Sequence, residues 1–239
     1  MFQTIFVEPV YSIFIFLIGV MPGGSVGFAI ITLTLFVRSV FYPAFTSQIK
    51  TQMGMQQAQP ELDEINKKYK DDTQERARRT MEVFKKYNIR PFSSILAILI
   101  QLPILFALYI AFLREGLPNI NTELLYSFVD VPDVVNTVFV GVLNLLEPNV
   151  VVLAVVVGTL QYLASYFAMA RITPPKNMAP ERVAMHKMQR NMMLYFLPGT
   201  IAIASYFLPA AAGLYFATGS LVSIGQEWLI RRHVLFPKS

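Results

Sequence analysis

VVVLAVVVGTLQYLASYFAMA, from Val150 to Ala170, contains no charged side chain, and Arg171 ends it. A spanning α-helix needs about 20 mostly apolar residues, because each residue rises about 1.5 Å through a hydrocarbon core about 30 Å thick. The stretch therefore reads as a membrane-spanning helix. Phe28–Ile49, Phe92–Leu113 and Ala210–Ile230 meet the same test. A shorter fifth stretch, Asn191–Leu208, joins the last one through Pro209, which leaves room only for a tight turn, so these two helices form a hairpin. Ile5–Met21 is apolar but carries Glu8 and Pro9. It reads as a helix lying at the outer membrane face, with a sixth span as the alternative. No Lys or Arg precedes Arg38, and Met21-Pro22-Gly23-Gly24 is a poor cleavage site, so the segment is expected to be retained and not removed as a signal peptide.

Composition agrees with lipid as the main solvent. Of the 239 residues 54% are hydrophobic and 15% charged, where a soluble domain carries roughly a quarter charged residues, and mean hydropathy is +0.49. With no cysteine, disulfides, thiolate metal sites and cysteine nucleophiles are excluded. The pI near 9.4 does not signal nucleic acid, because the basic residues mark topology instead. Lys50–Arg90 holds ten Lys/Arg, Arg171–Arg190 five and the tail after Ile230 three, whereas Arg114–Pro148 holds one against five acidic residues. Loops rich in Lys and Arg stay in the cytoplasm, which places Lys50–Arg90, Arg171–Arg190 and the C-terminus inside.

Between the first two spans, Thr51–Asn88 is polar with helical periodicity broken once. Pro60 suits a first helical turn, and Leu62, Ile65 and Tyr69 follow at helical spacing; Ala77, Met81, Phe84 and Tyr87 repeat the pattern. Lys70-Asp71-Asp72-Thr73 is the turn, with Asp72 or Thr73 as N-cap of the second helix. Two narrow apolar stripes would satisfy each other in an antiparallel hairpin. The seven acids and ten bases of Lys50–Arg90 make it a mixed-charge arm, either a solvated surface or a docking site for a soluble partner.

Polar residues inside the spans are the functional candidates. Arg38 sits near the middle of Phe28–Ile49 with no acidic residue in that span, and an intramembrane Arg is costly enough to require water, carbonyls or a partner from another helix. Thr34 and Tyr42, four residues to either side, share its face. The third long span contributes Thr159, Gln161, Tyr162, Ser165 and Tyr166; the last contributes Tyr215, Thr218 and Ser223, with Glu227 near its inner end. Together these could line a wet cavity, although Ser, Thr and Tyr in spans are often packing residues or interfacial anchors. No G-x-S-x-G, Walker loop or H-E-x-x-H occurs, and no internal repeat of the kind many transporters carry. The chain is not expected to be an enzyme, and no catalytic residue, metal or cofactor is expected.

Several motifs resemble those of the YidC/Oxa/Alb insertases. Tyr87-Asn88-Ile89-Arg90-Pro91, then Leu99-Ile100-Gln101-Leu102-Pro103-Ile104 and Ala107-Leu108-Tyr109, closely resemble the entry to that family's second span. Gln59-Pro60-Glu61-Leu62, Ile65 and Lys68-Tyr69 resemble the start of its cytoplasmic hairpin. Arg38 with Tyr42-Pro43, Leu160-Gln161-Tyr162 and Leu214-Tyr215-Phe216 match positions of its first, third and last spans. The resemblance covers residues 28–230. Phe216 stands where the family usually has Trp, so it carries over only as an aromatic surface, and the short tail does not carry the ribosome-binding role of long basic tails.

The resemblance implies an all-α polytopic membrane protein of a prokaryotic cytoplasmic membrane, with five transmembrane helices, an N-terminal interfacial helix and a cytoplasmic antiparallel helical hairpin. Its expected parts are residues 1–27, the interfacial helix and link; 28–230, the five-span core with hairpin 51–90 and external segment 114–148; and 231–239, a short basic tail. A hydrophilic groove open to the cytoplasm and the bilayer is implied, with Arg38, Thr34, Gln161, Ser165, Tyr215, Phe216 and Thr218 as candidate groove residues. A substrate's short polar tail would enter it while the apolar segment slides along the third and last spans into lipid. Implied partners are nascent membrane proteins and the bilayer, then the ribosome, signal recognition components and a Sec translocon, without nucleic-acid specificity. The competing readings are an anion channel or transporter built on Arg38, and a non-catalytic tether for a ribosome or targeting factor.

Overall fold

The structure is a computed structural model that describes residues 3–169 and 180–235. The last residue of the quoted apolar stretch, the first half of the basic Arg171–Arg190 link and the tail from residue 236 lie outside the described residues. Nearly all of the rest is helical: α1 (Glu8–Val20), α2 (Val26–Val40), α3 (Tyr42–Lys68), α4 (Thr73–Lys86), α5 (Ser93–Tyr109), α6 (Val151–Met169), α7 (Pro180–Asn191), α8 (Leu197–Phe207) and α9 (Ala210–Leu235). Single π-helical turns precede α1, extend α5 over Ile110–Arg114 and join α7 to α8 over Met192–Phe196.

Among the described residues, α6 is the one helix that by length and composition could cross a bilayer unaided, and α2 with Tyr42–Met55 qualifies as a bent pair. Glu8–Val20, Leu99–Arg114 and Met192–Phe207 are shorter apolar helices. Along α6, Val151, Val152 and Val155 are 60%, 75% and 61% exposed, a larger apolar strip than a water-facing helix normally leaves open.

The first span, expected as one helix over Phe28–Ile49, is two. The chain bends by 69° between α2 and α3. Pro43 cannot donate a helical hydrogen bond, and its ring clashes with the carbonyl four residues earlier; it is tolerated in the first turn of α3, where that donor would be orphaned anyway. Arg38 consequently sits in the last turn of α2, beside the bend.

A second correction concerns Pro60, expected to open the hairpin's first helix. It lies inside α3, which runs unbroken from the bend to Lys68. The turn and cap fall where the sequence places them: the Asp72 carboxylate accepts the Glu75 backbone N–H at 2.9 Å. Ala58, Leu62, Val83 and Ile89 form the hairpin core, with Met55, Ile65, Phe84 and Tyr87 against it. Ala77 and Met81 face outward, Met81 at 55% exposure. The buried line of α4 runs one residue away from the expected stripe because Val83, not Met81, meets Ala58 and Leu62. Gly54 permits the close approach, since a Cβ there would lie 2.6 Å from the Tyr87 carbonyl oxygen. Asn88, at φ 52°, ends α4 in the left-handed conformation that Asn tolerates.

The expected interfacial helix α1 is a core element. Tyr11, Phe14, Ile15 and Ile18 are fully buried and pack with α2 and α5. Segment 114–148 is tied over this end of the bundle. The Ser12 hydroxyl donates to the Leu124 carbonyl and accepts the Tyr126 N–H, and the Tyr11 hydroxyl oxygen accepts the Asn121 N–H. A short β-hairpin, β1 (Val138–Phe139) and β2 (Leu143–Asn144), pairs Val138 with Asn144 and Phe139 with Leu143. It lays Phe139 on Gly27, where a Cβ would be 2.1 Å from the ring. The Ala210 and Ala211 N–H groups at the start of α9 donate to the Glu147 and Leu145 carbonyls, satisfying orphan donors of that helix end.

Candidate functional site

A cavity of about 600 Å³ lies among α2, α3, α5, α6, α8 and α9. Its longest wall is one face of α9, where Tyr215, Phe216, Gly219, Ser220, Ser223, Gln226 and Glu227 recur at helical spacing. Gln161, Ala164, Ser165 and Ala168 of α6 follow the i, i+3, i+4, i+7 rule opposite it. Thr34, Val37 and Arg38 come from α2, and Phe45, Gln48, Ile49 and Gln52 from α3 beyond the bend. Gln101, Ile104 and Leu105 of α5 complete the polar part, and Leu197 and Ile201 of α8 supply an apolar border.

The bend positions the charge. The Arg38 guanidinium lies over the Phe45 ring, 4.3 Å from its centroid, and beside Gly219, where an added Cβ would sit 3.8 Å from a guanidinium nitrogen. Among the described residues it makes no salt bridge. Two features offset the cost of its position. A desolvated cation on an aromatic face gains about 2 kcal/mol, and the last carbonyls of α2 carry the negative end of that helix's dipole. A side chain larger than Gly at 219 would crowd the guanidinium from the α9 side.

Around Arg38 the amides and hydroxyls divide into engaged and available groups. The Gln101 amide donates to the Tyr215 hydroxyl, and the Ser220 hydroxyl donates to the Gln161 Oε1 at 2.8 Å. Those bonds fasten α5 and α6 to α9 across the cavity. Gln226 is 7% exposed and its Oε1 has no partner among the described residues. Thr34 lines the cavity, but its hydroxyl donates to the Ile30 carbonyl at 2.7 Å.

Of the seven candidate groove residues, Arg38, Thr34, Gln161, Ser165, Tyr215 and Phe216 all line this cavity. Thr218 does not: it is buried on another face of α9, donating to the Leu214 carbonyl at 2.8 Å. Tyr42, expected on the Arg38 face, is separated from it by the bend and exposed. Tyr162 and Tyr166 stack on each other, and Tyr162 also meets Tyr195, on the far side of α6. Gln48, Gln52, Ser220 and Gln226 were not singled out by sequence reasoning, and Gln101 only as part of a motif. The available signal was amide side chains recurring in or beside apolar helices. Among the described residues no group of three or more His, Asp or Glu is placed to hold a metal.

A mainly helical, largely apolar bundle with a cavity where an Arg stands among amides and hydroxyls agrees with what comparison with known proteins finds. Residues 17–236 match the family described as 60Kd inner membrane protein. The chain belongs to that family, the YidC/Oxa/Alb proteins that its motifs resemble. It is 34% identical over 241 residues to membrane protein insertase YidC of Oceanobacillus iheyensis, covering 99% of this chain and 86% of that relative. To membrane protein insertase YidC 2 of Listeria monocytogenes it is 33% identical, covering 97% and 77%. To membrane protein insertase YidC of Clostridium tetani it is 31% identical, covering 88% and 84%.

Proposed function

We propose that this chain is a membrane protein insertase, resident in the cytoplasmic membrane, that moves short polar segments of its substrates through the Arg38 cavity and releases their apolar segments into lipid. The observation that carries the reading is a cavity of about 600 Å³ among largely apolar helices, in which amides and hydroxyls stand beside an Arg with no salt-bridge partner among the described residues. Family membership and similarity to membrane protein insertases support it.

The reading assigns five crossings: α2 with the start of α3, α5 with its π turn, α6, the Met192–Phe207 helix and α9. The α3–α4 arm and the C-terminus are cytoplasmic, as the Lys/Arg distribution requires. Segment 114–148 and α1 close the opposite end. The ribosome, signal recognition components and a Sec translocon belong to the same reading, with the mixed-charge arm as their point of contact.

A polar tail crossing hydrocarbon loses water at every peptide group, at several kcal/mol for each group left unsatisfied. The cavity shortens that path and supplies amides, hydroxyls and one cation in place of water. Arg38 attracts acidic tails, Gln161, Ser165 and Tyr215 offer hydrogen-bonding groups, and Phe216 with the outer faces of α6 and α9 guides the apolar segment. The work is stepwise compensation of desolvation, with no bond made or broken. Reconstitution tests it: liposomes holding the purified chain should integrate a short single-span protein faster than empty liposomes. Solute flux without integration would replace the reading with a transporter, and neither activity would leave a tether.

A further inference from the structure

Gln226 lines the cavity, and its buried amide oxygen has no donor among the described residues. An acceptor held out of water without a partner is destabilising, so such a group suits a donor brought by a ligand. Gln48 and Gln52 of α3 line the same cavity one helical turn apart. Each glutamine side chain offers N–H donors and a carbonyl acceptor, the same functions as a peptide group.

The spacing fits one kind of ligand. Positions four apart on a helix rise about 6 Å, and an extended polypeptide turns a peptide group to the same side every second residue, about 6.7 Å. Gly219, which touches the Arg38 guanidinium, and Gln226 share one face of α9, seven residues and therefore about 10 Å apart. About three residues of extended chain cover that distance.

We infer that the glutamine-lined part of the cavity binds the main chain of an extended polypeptide segment, with Gln48, Gln52 and Gln226 pairing to its peptide groups while Arg38 meets an acidic side chain about three residues away. The inference rests on the insertase reading and names what that site recognises: peptide N–H and C=O groups, whatever the sequence. Strand addition at a sheet edge uses the same sequence-tolerant bonds. A site of this kind accepts many unrelated tails, and Arg38 adds a preference for acidic ones.

The test uses the full chain in liposomes and a single-span substrate with a synthetic translocated tail, rates being taken above protein-free liposomes. One tail has ordinary peptide bonds and the other is N-methylated throughout, which removes every N–H donor. The wild-type protein should insert the ordinary tail roughly three- to tenfold faster, the effect of a few net hydrogen bonds. In the Gln48→Met/Gln52→Met/Gln226→Met variant that ratio should fall to about one. In the wild-type protein, which removes any question of folding, a single N-methyl group moved along the tail should slow insertion at alternate positions. An equal ratio in wild type and variant, or a flat N-methyl profile, overturns the inference while leaving insertase activity in place. Failure of the wild-type protein to insert either tail overturns the insertase reading and the inference with it.

Discussion

Gly54 sits where α3 meets the end of α4, and replacing it gives a quantitative test of how the α3–α4 arm is held. A Cβ at position 54 would lie 2.6 Å from the Tyr87 carbonyl oxygen and 3.0 Å from Ile89 Cγ1. The nearer obstacle is backbone, so Gly54→Ala must push α3 and the end of α4 apart by about half an ångström or more. Overpacking of this kind costs about 1–3 kcal/mol, and Ala returns about 1 kcal/mol through its better helix propensity. The net loss is about 1 kcal/mol, which is roughly a fivefold rise in local opening. Thr51, three residues earlier, both accepts the Arg90 N–H at 3.1 Å and donates to its carbonyl, so those bonds should loosen together. Amide hydrogen exchange in liposomes should therefore accelerate about fivefold over Thr80–Arg90, with the rest of the bundle unchanged. Gly225→Ala is the control, because nothing lies within 4 Å of its added Cβ. Exchange over Thr80–Arg90 that is unchanged in Gly54→Ala, or equally fast in both variants, would refute the packing argument.

Arg38→Ala should reduce insertion of an acidic tail by roughly tenfold or more relative to a neutral tail, since hydrogen bonds to charged groups contribute about 1.5–3 kcal/mol; Arg38→Lys should keep most of that preference, and equal loss for both tails would indicate a purely structural Arg. In the arm, Arg78 and Arg79 hold the Glu75 carboxyl down at about 2 from 4.5, and Lys86 and Tyr87 hold Glu61 below its ordinary value. A depressed carboxyl pKa stabilises the folded state fully above about 4.5 and is lost as pH falls toward 2, so protection of α4 amides relative to their intrinsic exchange should fall across that window and Glu75→Gln should flatten the response. A single cysteine at Glu123 should react with an impermeant thiol reagent in intact cells while one at Lys70 stays shielded; labelling at Lys70 from outside would invert the topology.

Much of the arm and the cavity was legible because their signals are local. The Asp72 cap needs only an acceptor three residues before an available N–H, and Arg38, Gln161 and Tyr215 stand out as polar groups in apolar helices. What escaped depends on how helices cross. Pro43 announces a break, but its 69° angle and the position of Arg38 in the last turn of α2 follow from packing on α9 and α5. Pro60 reads as a helix start, yet α3 continues through it, since one missing hydrogen bond on a water-facing arm costs less than ending a helix whose Gly54 and Ala58 already pack on α4. Thr218 shares its helix with six cavity-lining neighbours between Tyr215 and Gln226, but its hydroxyl turns back to Leu214. In an apolar helix, sequence alone does not tell a cavity-facing hydroxyl from one spent on its own backbone.

The central claim is that the polar tail travels through the cavity, and site-specific photocrosslinking to a substrate arrested during insertion tests it most directly. Photo-reactive residues at Gln161, Ser165 and Ser220, all lining the cavity, should capture the polar tail. One at Val155, 61% exposed on α6, should capture the apolar segment. Tail crosslinks confined to a probe at Met81 on the outer face of the arm, with none at the three cavity positions, would contradict passage through the cavity and leave the protein a tether.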